Sequence, residues 1–167
     1  TNAIQMNYGQ THTNRQNNSN IKNSPNQVYI VAHQDTVLGN EWMYFDIMAG
    51  TTSNPIDSLL GISFTLNFNS QFIITPNLYF SSFSTQLGTP QFDLVEMIHN
   101  NSMNGNYSIG ISRINQSGIL NFVGKIGTIG IQASASVTNP SNFILTPTDI
   151  TIMKESGQTF SASSIID

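Results

Sequence analysis

Apolar and polar residues alternate along most of this chain, in short runs separated by turn-forming residues. In the clearest run, residues 61–69, the apolar positions from Ile62 to Phe68 alternate with Ser, Thr and Asn. Because successive side chains of a β-strand point to opposite faces, this pattern predicts a strand with one face on a core and one in water. The pattern recurs through residues 28–166 without a convincing helical period, so the sequence predicts an all-β protein.

Such runs predict about nine strands. They are residues 27–33, 42–48, 61–69, 77–83, 92–99, 107–114, 124–134, 148–154 and 158–163, with 117–122 as an alternative tenth. Turn residues separate them: Asn104-Gly105-Asn106 and Ser156-Gly157 tolerate positive φ, and X-Pro steps such as Thr75-Pro76 favour extended exits. Short strands at this spacing predict a two-sheet antiparallel β-sandwich of jelly-roll type.

The low charge of the chain argues against some classes of binding partner. Charged residues make up 8% of its 167 residues and the net charge is −4, whereas ordinary soluble domains are roughly 25% charged. The five Lys and Arg residues are too few for the basic stripe that nucleic-acid backbones require. No apolar run has the roughly 18 residues that predict a membrane span. Since the chain has no Cys, it has neither disulfides nor a thiolate metal site.

The first 27 residues differ in composition from residues 28–167, which form the predicted sandwich domain. They are rich in Asn and Gln and poor in large apolar residues. Such a tract cannot offset its own chain entropy by burial, so on its own it is expected to be a disordered extension or linker. The alternation of Ile4, Met6 and Tyr8 favours another interpretation, in which this segment is an assembly strand added to a sheet edge of its own domain or of another copy.

Three stretches resemble the motifs of cohesin-like modules. Residues 44–50 (YFDIMAG) lead into 60–69 (LGISFTLNFN), which is similar to the family's paired aromatic and Gly-containing strands. Residues 124–131 (GKIGTIGI) resemble a further strand, and 148–157 (TDITIMKESG) resemble the closing hairpin. The resemblance implies the sandwich shared by cohesins and related carbohydrate-binding modules. It also implies an extracellular setting, as a module of large surface proteins of the Bacteroidetes type.

The chain departs from that family in two respects. Its sequence shows neither a calcium-organised partner surface nor a planar aromatic sugar platform. The resemblance therefore implies a fold and a setting rather than a ligand.

The predicted strand at 42–48 carries the candidate ligand-binding residues. Its alternation places Met43, Phe45 and Ile47 on the core side, and Trp42, Tyr44, Asp46 and Met48 on the other. Exposed aromatic rings stack on sugars, and Asn, Gln and Asp side chains hydrogen-bond to them. Tyr79 and Tyr107 are further candidates by type. The alternative is a packing interface against the N-terminal extension or a neighbouring copy.

Residue types that carry catalysis or bind metals are scattered along the sequence. His12, His33 and His99 are far apart, and no Asp-rich calcium loop exists, although a structural calcium held by scattered ligands stays an alternative. Glu41, Glu96 and Glu155 are acid–base candidates by type only, and Glu96 fits a solvated position on a strand. No Gly-x-Ser-x-Gly turn is present. We therefore expect no enzyme, no cofactor and no bound metal.

The function that the sequence favours is a non-catalytic structural or adhesion module of a large surface protein or filament. It would associate through strand edges and uncharged polar surfaces, with other copies of the chain or neighbouring modules as partners. A carbohydrate-binding module with a glycan ligand is the first alternative, and a cohesin-type module with a protein partner is the second. The expected location is the cell surface, without insertion into a membrane.

Overall fold

A computed structural model describes residues 3–6, 27–136 and 142–164. Within these ranges it has thirteen strands and two short 3-10 turns. The strands are β1 (Ala3–Met6), β2 (Gln27–Ala32), β3 (Thr36–Leu38), β4 (Trp42–Ala49), β5 (Leu59–Asn67), β6 (Ile73–Ser81), β7 (Leu94–Asn101), β8 (Asn106–Arg113), β9 (Gly124–Ala133), β10 (Asn142–Phe143), β11 (Thr146–Lys154), β12 (Thr159–Ser161) and β13 (Ser163–Ser164). The 3-10 turns are Ser70–Phe72 and Ser102–Asn104. No helix in the described ranges has the length and apolarity to cross a membrane.

Two five-stranded sheets form the sandwich, which confirms the predicted fold class. One sheet has the order β13-β2-β4-β9-β6, and the other has the order β12-β11-β5-β8-β7. We call them the β4 sheet and the β5 sheet. Most neighbouring strands are antiparallel, but β13 pairs with β2 in parallel. The inward side chains of both sheets meet in one apolar core, with Phe45 and Phe64 among its largest members.

The nine predicted strands correspond to β2, β4 to β9, β11 and β12, with shifted ends. Residues 117–122 form no strand; only Ile119 and Phe122 make isolated bridges, to Leu59 and Ile56. The break predicted at Thr75-Pro76 is also wrong, because β6 continues through it. Its register against β9 is irregular there, between Ile73 and Leu78, so the proline interrupts the pairing rather than the strand.

The turn at Asn104-Gly105-Asn106 is confirmed and joins β7 to β8. Gly105 has φ of +76°, in the left-handed region that side chains disfavour. A Cβ atom there would also collide with the carbonyl oxygen of Phe68. Glycine is therefore required at this turn, which sets the uninterrupted register between β7 and β8.

A third, three-stranded sheet contains part of the N-terminal extension. In its order β10-β1-β3, β1 pairs antiparallel with β3 and parallel with β10. Ile4 and Met6 thus lie in a strand that is hydrogen-bonded on both sides within its own chain. Tyr8 and the rest of the extension up to residue 26 lie outside the described residues. The boundary at residue 27 and the assembly role of Ile4, Met6 and Tyr8 stay predictions.

Candidate functional site

The candidate residues Trp42, Tyr44 and Asp46 lie together on the outer face of β4. Burial alternates strictly along this strand, and Met43, Phe45 and Ile47 are fully buried. Because these side chains point into the core, the alternate positions of β4 must face outward. The three outward candidates are half-buried rather than fully exposed, since side chains from neighbouring strands pack beside them.

Three aromatic rings cluster on this face. The Trp42 and Tyr44 ring centroids are 6.4 Å apart and their planes are inclined by 18°. The Tyr79 ring, from β6, lies 5.5 Å from that of Trp42 at 59°. Tyr44 and Tyr79 both pair with Gly130 of the intervening strand β9. Because Gly130 has no side chain, the Tyr79 ring can lie over it; a Cβ atom there would be 2.6 Å from that ring.

Burial and the neighbouring Tyr44 together raise the pKa of Tyr79 above its ordinary value. Tyr79 nevertheless keeps a large part of its surface in solvent. Tyr107, the other tyrosine considered with it, is only 3% exposed and belongs to the core. It therefore cannot stack on a ligand. The alternating pattern of β8 places Tyr107 on the same side as Ile109 and Ile111, and this signal in the sequence could have separated it from Tyr79.

Asp46 is the centre of a polar network beside the rings. Its carboxylate accepts hydrogen bonds from Thr128 Oγ1 at 2.7 Å and from Lys125 Nζ at 3.1 Å. His33 Nε2 lies 3.0 Å from the same carboxylate. Burial alone would raise the pKa of Asp46, but the hydrogen bonds from Thr128, His33 and Lys125, with the charge of Lys125, outweigh it and hold the pKa below its ordinary value.

This network leaves Asp46 ionised and its charge compensated within the chain. A carboxylate held in this way is a poor general acid or base at neutral pH. Elsewhere in the described ranges, no three His, Asp or Glu side chains come close enough to hold a metal ion. His12 lies outside those ranges, and the expectation of no cofactor, with structural calcium as its alternative, stays a prediction.

A second candidate region is strand β7, at the edge of the β5 sheet. All eight of its residues pair with β8 without a register break. On its other side no described strand pairs with it, and Pro90 forms an isolated bridge to its first residue, Leu94. From Val95 to Asn100 every residue is exposed, and Met97 is 70% exposed. The sequence predicted the strand but not this exposure. A long, regular, partly apolar edge is a template for pairing with another strand.

A groove of about 480 Å³ lies beside β7, between it and the end of β6. Its lining includes Phe80, Phe83, Leu94 and Glu96. Ser82, which is buried, donates a hydrogen bond to Glu96 within it. Glu96 is exposed on β7, as its sequence context suggested, but it also lines this groove and accepts a hydrogen bond there. Desolvation by the groove raises the pKa of its carboxyl group above the ordinary value.

The comparisons with known proteins bear on the fold. No family model matches the sequence, and no curated protein matches it. Among solved structures, the second type II cohesin module of the adaptor ScaA scaffoldin of Acetivibrio cellulolyticus has a TM-score of 0.65 at 10% identity, with 86% of each chain covered. Cohesin A11 of Bacteroides cellulosolvens has a TM-score of 0.58 at 12% identity, covering 84% of this chain and 95% of that one.

A third neighbour was solved with a partner. It is the sixth cohesin of Acetivibrio cellulolyticus scaffoldin B in complex with a Cel5 dockerin, with a TM-score of 0.61 at 10% identity over 85% of this chain and 94% of that one. At sequence identities this low, the similarity concerns the fold. The chain is a β-sandwich with the fold of cohesin modules.

Proposed function

We propose that this chain is a non-catalytic module of an extracellular surface assembly that binds protein partners by strand addition along β7. The partner strand belongs to another copy of the chain or to a neighbouring module of the assembly. The observation that carries the proposal is the free edge of β7, with eight regularly paired residues and exposed Val95, Met97 and Ile98. Main-chain hydrogen bonds to such an edge supply affinity, and alternate side chains supply specificity.

The other edges of the two large sheets are protected against the same association. Strands β12 and β13 have only three and two residues. Strand β6 is nine residues long, but it contains Pro76, which lacks an N–H, and its register is irregular around that residue. Strand β7 contains neither Pro nor Lys nor Arg and has no bulge. Among the described edges, it alone combines length with regular pairing.

The outer face next to β7 is mostly polar, and the carboxylate of Asp149 lies near Thr65 and Ser108. Thr65 and Ser108 are hydrogen-bonded across β5 and β8 at 2.9 Å. Asn106 donates to Asn67 at 2.7 Å, and Asn67 donates to Thr148 at the same distance. Covering neutral amides and hydroxyls costs less desolvation than covering ions. A partner that pairs with β7 can therefore extend over this face.

Structural neighbours support a protein rather than a small molecule as the principal partner. Two cohesins with this fold are described in complex with dockerin-containing chains. The low charge and high Asn content of this chain support a surface assembly, and the proposed location is the cell exterior.

Association between copies is tested by light scattering over a concentration series of the full chain. Met97→Lys should weaken association at least about tenfold, because a lysine on a strand edge opposes pairing. Leu120→Lys is the matched control: Leu120 is 67% exposed, close to the 70% of Met97, and lies outside the strands. A wild-type chain that stays monomeric up to millimolar concentration, or equal losses in both variants, would contradict association of copies through β7.

Carbohydrate binding on the outer face of β4 is a second candidate function. The observation in its favour is the small inclination, 18°, between the half-buried Trp42 and Tyr44 rings. Since Asp46 is already compensated by Lys125, the face suits an uncharged glycan. Glycan-array binding should be lost in Trp42→Ala and Tyr44→Ala, with Tyr29→Ala as a control. Binding that survives both changes, or its absence from the wild type, counts against this candidate.

A further inference from the structure

The groove beside β7 has apolar residues both at its surface and in its wall. Phe83, which lines it, is 80% exposed. Leu94 and Phe80 are buried in its wall. Apolar surface gathered around a concave site is typical of a surface that a partner covers.

The charged group that lines this groove is Glu96. The described hydrogen bond to its side chain comes from Ser82, whose hydroxyl is neutral. None of the ion pairs among the described residues involves Glu96. Desolvation raises the pKa of its carboxyl group, because burial disfavours the charged form. A cation delivered from outside would offset part of this cost.

A strand added to β7 would deliver a side chain to this position. Glu96 pairs with Ile111, a buried residue of β8, so its side chain is on the inner side of the sheet. Directly opposite residues on neighbouring antiparallel strands point to the same side, with Cβ atoms about 4.5–5.5 Å apart. The residue of the added strand opposite Glu96 therefore enters the groove that Glu96 and Phe83 both line.

We infer that the groove binds a Lys or Arg side chain of the strand that adds to β7. The carboxylate of Glu96 pairs with the cation, and the exposed ring of Phe83 covers its aliphatic stem and contributes cation–π attraction. Neighbouring residues of the bound strand face the other way, beside Val95 and Met97. This inference rests on the proposed strand addition and specifies the partner: an extended segment with a basic residue flanked by apolar ones.

Two capped peptide probes test the inference by NMR titration of the full, isotope-labelled chain. Their sequences are Thr-Val-Arg-Val-Thr and Thr-Val-Gln-Val-Thr, which differ only in the charge and shape of the central residue. The arginine peptide should bind the wild type about tenfold more tightly, as expected for a charge-assisted pair. In Glu96→Gln that preference should fall to within about twofold, because the amide keeps the size of the side chain without its charge.

The matched control is Glu155→Gln, which removes the same charge from an exposed turn after β11 and should keep the preference. Equal binding of both peptides along β7 would overturn the basic-residue inference and leave strand addition standing. A preference that persists in Glu96→Gln would also overturn it. If neither peptide shifts the β7 resonances, the inference fails, and strand addition fails with it unless copies of the chain associate in light scattering.

Discussion

Strands β6 and β7 end the two sheets on the same side of the sandwich, but they are built in opposite ways. On β6 the inward residues Leu78 and Phe80 are buried. On β7 only the first inward residue, Leu94, is buried, and Ile98 is 45% exposed. The backbone pairing differs in the opposite sense. Strand β7 has an unbroken register with its neighbour, whereas β6 has an irregular one.

The contrast separates two functions of an edge strand. Strand β6 contributes its side chains to the core and has a backbone that discourages further pairing, so it closes its sheet. Strand β7 contributes little to the core beyond Leu94 and keeps a backbone suited to pairing. A strand that buries few side chains in the core and has a regular backbone is well suited to pair with a partner strand.

The sharpest test of this contrast compares inward residues of the two strands. Phe80→Ala should reduce the free energy of unfolding by about 3–5 kcal/mol, because it leaves a cavity in the core. Ile98→Ala should cost only about 1 kcal/mol, since nearly half of its surface is already in water. Urea unfolding measures both. Equal losses would show that β7 is as firmly integrated as β6 and would break the comparison.

The outer face of the sheet that β6 closes carries the network around Asp46, with N–O distances of 3.0 and 3.1 Å, whereas the ion pair of Arg113 and Asp93 at the start of β7 is longer, at 3.7 Å. Asp46→Asn should lower the free energy of unfolding at pH 7 by about 1–2 kcal/mol. The pKa of Asp46 is lowered by folding, so its contribution is present above the ordinary value of 3.8 and is lost as pH falls below it.

Unfolding curves of the wild type and Asp46→Asn should therefore converge as pH falls from 5 towards 2. A difference between them that is constant across this range would mean that the carboxylate contributes through packing rather than through its charge.

Local sequence pattern accounted for the strands because their side-chain period is local. The alternation of β4 placed Met43 and Phe45 inside and Trp42 and Tyr44 outside, as the structure has them. It could not show that Tyr79 joins these rings, since that depends on Gly130 of a strand distant in sequence lying between them.

For the same reason, the sequence could not predict that β7 is an open edge strand. Residues 92–99 were predicted as an ordinary strand, but whether a strand is central or terminal depends on sheet order. The sequence could not show the hydrogen bond from Ser82 to Glu96, because Ser82 follows β6 and only the meeting of the β6 and β7 edges forms the groove.

The smallest expected effect on stability comes from substituting one glycine beside each of the two edge strands. Gly130 lies next to β6, and a Cβ atom there would be 2.6 Å from the Tyr79 ring; Gly110 lies next to β7, and its Cβ would meet Met97 at an ordinary 3.6 Å. Gly130→Ala should displace the Tyr79 ring and cost about 1 kcal/mol, with a change in near-UV circular dichroism. Gly110→Ala should be neutral or stabilise by up to about 0.5–1 kcal/mol, because alanine restricts the unfolded chain and fits the open strand. If Gly110→Ala were the more destabilising of the two, the surface beside β7 would already be closely packed and could not be the open side of the molecule.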